Sequence, residues 1–187
     1  MYRALTWFIL KSGIDPDDKE KLTEIASHVG MTVNAAAKDG SQLQSVFVNG
    51  EDATRFLVRS EVENAVSRVS RVPAVRRAMV AIQQRIAAEG AVVMAGRDIG
   101  TTVLPDADIK VYLEASPEER ARRRYQQAVT RGDKRSFDSI LADMIRRDAI
   151  DRSRETSPLR PADDAIILDT YGLSLQQVVE RVIGLLQ

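Results

Sequence analysis

The chain has 187 residues, with 27 Lys and Arg balanced by 27 Asp and Glu and a 44% hydrophobic content, which suits one folded domain and excludes a disordered chain. It has no cysteine and one histidine, His28, which excludes disulfide scaffolds, thiol nucleophiles and Cys-based zinc sites. It also leaves no imidazole cluster for a metal and no Ser-His-Asp triad.

His28 reads as a surface helix residue. No apolar run reaches the ~18 residues of a membrane span, and residues 1–11 lack the flank of a signal peptide. The chain therefore reads as cytoplasmic and free of the membrane. Balanced charge argues against a general nucleic-acid binder. Of the 27 cations, 21 are Arg; the guanidinium fork suits bidentate grip of phosphate or carboxylate, although a GC-rich genome gives the same bias.

Residues 2–12 read as a helix without a preceding cap. Asp15-Pro16 opens a second helix through about Val29. Short alternating segments at 31–35, 42–48 and 54–58 follow, separated by Lys38-Asp39-Gly40 and Asn49-Gly50. Both separators carry turn chemistry, so a small antiparallel sheet is expected.

Residues 61–69 read as a helix, and Pro73 sits well as the first residue of another that ends near Gly90. The apolar run 91–95 (AVVMA), with 108–114 and 165–168, suits strands of a parallel sheet covered on both faces. Intervening helices give an α/β, doubly wound architecture. Ser116-Pro117-Glu118-Glu119 marks a helix start, Gly132 its stop. Phe137, Ile140, Leu141, Met144 and Ile145 form the buried stripe of the next helix, and 174–186 is a terminal amphipathic helix.

Three constellations and one absence bear on chemistry. Gly96-Arg97-Asp98 follows a strand end, where open parallel sheets bind ligands. There Gly96 allows close backbone approach, Arg97 grips phosphate and Asp98 accepts from the amino group of a base; the alternative is an Arg-Asp pair capping a loop. Arg147, Asp151 and Arg154, spaced i, i+4, i+7, lie on one face of a continuous helix. They form either a phosphate clamp suited to phosphoryl transfer or a solvated, salt-bridged face. With the arginines at 122–124 they resemble a lid, and an RNA-facing hairpin is the competing reading. Ser67 and Arg76 flank the Val72-Pro73 junction and suit either the edge of a base or packing and capping. The absence is G-x-x-x-x-G-K-[ST], the cradle for donor phosphates: the sequence contains no Gly-Lys pair.

The segments AGRDIGTTVLPDADIKVYLEASPEERARRR, RDAIDRSRETSPLRPADDAIILDT and SEVENAVSRVSRVPAVR resemble bacterial cytidylate kinase, in the family's order and over the chain from Tyr2 onward. The resemblance implies a nucleoside monophosphate kinase domain of the phosphate-binding-loop type over 1–187, with a nucleotide-binding insert over 14–59 and a lid over 117–155. It implies transfer of the γ-phosphate of ATP, with Mg²⁺, to CMP or dCMP. Arg3 and Arg97 would bind the acceptor phosphate, Tyr2 would line its site, and Ser67, Arg76 and Asp98 would read cytosine. Asp151 would meet a ribose hydroxyl, and Arg123, Arg147 and Arg154 would act on the transferring group.

In the family an opening strand, the phosphate-binding loop, its helix and a second strand precede the Tyr-Arg pair, which here is Tyr2-Arg3. The expectation is an N-terminally incomplete domain, part of a longer protein, lacking the strand between those ending at Ala95 and Glu114. Such a chain would bind CMP poorly, transfer no phosphate and hold no metal itself. A monomer that binds neither nucleic acid nor membrane is expected. The alternatives are a non-catalytic relative that binds CMP or another phosphate ligand and an Arg-rich RNA-binding module; UMP is the nearest competing substrate.

Overall fold

The computed structural model describes residues 1–34, 44–130, 132–153 and 158–186. The chain divides into two compact units, Met1–Val93 and Met94–Gln187.

The first unit begins with α1 (Tyr2–Lys11), which buries Ala4, Leu5 and Ile9 against α3 (Ser60–Ser70). Pro16 does not start α2. Asp15 instead accepts from the Asp17 amide at 2.9 Å in a tight turn, and α2 (Lys19–His28) is capped by Asp18, which accepts from the Lys21 amide. A capping carboxylate satisfies a helix-end amide directly, which a proline cannot do. His28 is exposed in the last turn of α2.

The antiparallel sheet has three strands in order, β1 (Met31–Asn34), β2 (Ser45–Val48) and β3 (Glu51–Asp52). Asn49 (φ 50°) and Gly50 (φ 81°) join β2 to β3, with Val48 opposite Glu51. Two consecutive left-handed residues are what a type I′ hairpin requires. Residues 54–58 are not a strand: Thr54–Phe56 is a 3₁₀ turn. The Lys38-Asp39-Gly40 turn lies outside the described residues.

Pro73 opens α4 (Pro73–Ala87), which packs on α2. Leu5, Ile9, Leu22, Val48, Val62, Val69, Val75 and Met79 are fully buried in this core, each contributing about 1.5–3 kcal/mol.

The second unit contains a two-stranded parallel sheet, β4 (Val111–Glu114) and β5 (Ile166–Asp169), in register from Val111 opposite Ile166 to Glu114 opposite Asp169. Residues 91–95, expected as a strand, form none, and Val93 is 95% exposed. An apolar run becomes a strand only when a neighbour completes its hydrogen-bond ladder, and no strand pairs with it among the described residues. The parallel sheet of the described residues is therefore narrower than the doubly wound arrangement expected.

Helix α5 (Pro117–Thr130) starts where Ser116 accepts from the Glu119 amide, and Gly132 (φ 74°) follows its end. It packs on α6 (Phe137–Arg152) through Ala121, Ala128 and Ile140, with Phe137, Leu141 and Met144 alongside. Ile145, expected in that stripe, is 48% exposed. Helix α7 (Leu175–Gly184) has a Ser174–Gln177 capping box.

Candidate functional site

In the first unit the expected residues gather around α1. Arg3 donates to the Leu57 carbonyl at 2.9 Å and to Glu63 at 3.4 Å. Arg76 is buried, lies over the Tyr2 ring at 5.6 Å and donates to the Ser70 carbonyl at 3.4 Å. Ser67 is half-buried, and its carbonyl accepts from the Ser70 hydroxyl. Tyr2, Arg3 and Arg76 are thus tied to α3, through direct contacts or through one another.

In this unit sequence reasoning missed Glu63. It is buried, and with Ser67 and Ser70 it forms an i, i+4, i+7 polar row on α3. That spacing beside the Val62, Val66 and Val69 stripe was the available signal.

In the second unit Gly96 lies close to Ile99. A Cβ there would stand 2.8 Å from two side-chain atoms of Ile99, so the absence of a side chain lets Ile99 fold back. Asp98 is buried at the head of a π-helical turn, Ile99–Val103, and its carbonyl accepts from the amides of Thr102 and Val103. Single π turns recur at functional sites because they re-aim neighbouring side chains.

The arginines and carboxylates form a network. Arg97 pairs with Asp151 and lies 3.7 Å from Asp148; Arg120 donates to the other oxygen of Asp148 at 2.6 Å and to the Ala115 carbonyl at 3.2 Å. Asp148 and Asp151 are both buried on α6, so each needs a cationic or hydrogen-bonded partner.

Arg123 is anchored rather than free. It donates to Glu119 at 3.1 Å and to the hydroxyl and carbonyl of Thr170 at 3.2 and 2.6 Å, just past β5. Arg147 is half-buried one turn before Asp151. Arg154 lies outside the described residues. Asp148 and Arg120 were absent from the expected set, although Asp148 stands three residues before Asp151.

No group of three His, Cys, Asp or Glu among the described residues is placed to hold a metal ion. The clustered carboxylates Asp148 and Asp151 are engaged by arginines. With these carboxylates committed to arginines, no magnesium site is built from side chains alone among the described residues.

Guanidinium groups held on buried carboxylates near the carboxyl ends of parallel strands are an arrangement suited to an oxyanionic ligand such as phosphate. The family model "Cytidylate kinase" matches residues 1–187. A cytidylate kinase of Geobacillus sp. (strain WCH70) is 45% identical over 182 residues, 97% of this chain and 80% of the relative. Those of Bacillus subtilis (strain 168) and Streptococcus sanguinis (strain SK36) are 43% and 45% identical, covering 98% and 96% of this chain and 80% and 78% of the relatives. The chain belongs to the cytidylate kinase family, whose members are phosphotransferases.

Proposed function

We propose that this chain is the acceptor-handling part of a kinase that moves the γ-phosphate of ATP to CMP or dCMP, giving CDP or dCDP. The observation that carries the reading is the Arg97–Asp151 pair with Asp148 and Arg120 behind it, in a chain matched over its whole length by the family.

In this reading Ser67, Arg76 and Asp98 read cytosine, whose amino group donates where uracil offers a carbonyl. Arg3 and Arg97 take the acceptor phosphate beside Tyr2, and Asp151 takes a ribose hydroxyl. Arg123, Arg147 and Arg154 stabilise charge that spreads over the equatorial oxygens during transfer. Each unit carries its own set of assigned residues, and each set can be tested by itself.

The reading also makes 1–187 part of one nucleoside monophosphate kinase domain, with an insert over 14–59 and a lid over 117–155. Its parallel sheet is doubly wound. Exposure of Leu113, Ile166 and Ile167 supports this, because parallel sheets are ordinarily covered on both faces. The protein is read as a cytoplasmic monomer that binds neither membrane nor nucleic acid.

ATP with Mg²⁺ is the donor in the family. Because no Gly-Lys pair occurs in these 187 residues, the chain by itself is proposed to bind CMP weakly and to transfer no phosphate. A coupled ADP-release assay with CMP tests this on the 187-residue chain beside one extended upstream. The extended form should turn over and the short form should not. Equal turnover by both would sink the proposed inactivity, and silence of both would sink the kinase assignment.

A further inference from the structure

The proposed function gives Arg97 and Asp151 to different parts of one ligand, yet the two side chains are paired with each other. An arginine that turns to a phosphate and a carboxylate that turns to a ribose hydroxyl must share out the donors and lone pairs they now spend on one another. Something else has to keep the Arg97 guanidinium in place during that exchange.

We infer that Asp148 is a positioning residue that holds Arg97 toward the acceptor phosphate once Asp151 has turned to the ribose. The inference rests on the proposed CMP reading.

Three observations carry it. Asp148 and Asp151 stand three residues apart on α6, so both face the same way. The Asp148 side chain is only 12% exposed, and its carboxylate is divided: one oxygen accepts from Arg120 at 2.6 Å, the other stands 3.7 Å from Arg97. Arg120 in turn donates to the Ala115 carbonyl, the residue after β4. Asp148 is thereby fixed to the strand end.

The 3.7 Å separation is an ion pair and not yet a hydrogen bond, and a shift of under an ångström by Arg97 closes it. Charge accounting points the same way. Arg120 already balances Asp148, so the contact with Asp148 aims Arg97 without cancelling the positive charge a phosphate dianion needs.

The test is the dissociation constant for CMP, measured by calorimetry on the upstream-extended chain, the form proposed to turn over, and repeated in an Arg97→Ala background. Asp148→Asn should weaken CMP binding about tenfold when Arg97 is present and less than twofold when it is absent, since the effect is transmitted through that arginine. Equal losses in both backgrounds would show a merely structural role and overturn the inference. Unchanged or tighter binding would overturn it too, tighter binding meaning that Asp148 acts only as a nearby negative charge. Should Asp148→Asn not fold, Asp148→Glu, which keeps the charge and displaces the carboxylate, carries the same comparison. A wild-type chain that binds no CMP would overturn the CMP reading and this inference with it, whereas a wild type that binds CMP beside an unaffected Asp148→Asn would overturn this inference alone.

Discussion

Arg97 and Asp151, from the segment before the π-helical turn and from the last turn of α6, are joined side chain to side chain, with the Asp151 carboxylate 5% exposed and the Arg97 side chain 42% exposed. A buried carboxylate is tolerated because the guanidinium compensates it, and the guanidinium's exposed part stays open to a ligand.

Removing the cation should therefore cost stability as well as binding. Arg97→Ala should lower unfolding free energy by about 1–3 kcal/mol, the penalty of a buried acceptor left without its partner, read as a shift in the urea midpoint. Asp151→Asn, which removes the charge together with its need for compensation, should cost less. Equal midpoints for wild type and Arg97→Ala would show that the pair holds nothing together.

Gly96 and Ile99 are a packing pair. Gly96→Ala places a Cβ 2.8 Å from the outer atoms of the Ile99 side chain; Gly96 is exposed and Ile99 half-buried, so the side chain can turn aside and the cost should stay below about 1 kcal/mol. In thermal unfolding the double variant Gly96→Ala/Ile99→Ala should lose less stability than the two single losses summed. Strict additivity would place the strain elsewhere.

Lys110 gives a pH signature. Its ammonium donates to Asp164 at 2.6 Å, and this hydrogen bond is the main reason the Asp164 carboxyl titrates below its ordinary value. A carboxyl whose folded value is depressed contributes stability above the ordinary carboxylate range, and loses it as pH falls through the folded value. NMR titration should find Asp164 titrating low in the wild type and normally in Lys110→Met. An unchanged Asp164 titration in that variant would remove Lys110 as the cause.

Much of the fold was legible locally. Asn49-Gly50 announced a hairpin because two left-handed residues in succession have few other uses, and Ser116-Pro117 announced α5 because its cap lies within three residues. Residues 91–95 misled because an apolar β-branched run records only a capacity to pair, whereas strand formation depends on a neighbour elsewhere in the chain. The site divides the same way. Arg97, Asp98 and Asp151 stood out by residue type and spacing. The anchoring of Arg123 on Thr170 and the bridge from Arg120 through Asp148 to Arg97 join segments far apart in sequence, and no periodicity reports such contacts. Glu63 and Asp148 were passed over because single acids on charged helices look like solvated faces until burial shows otherwise.

Asp98 is proposed to read a cytosine nucleotide as the acceptor. Calorimetric titration of the upstream-extended wild type and its Asp98→Ala variant with CMP and with UMP tests it most directly. The wild type should bind CMP more tightly than UMP. Asp98→Ala should weaken CMP binding about tenfold or more, the range for a lost charge-assisted hydrogen bond, while barely moving UMP, so that the preference disappears. Equal losses for the two nucleotides, or a wild type without preference, would contradict the account.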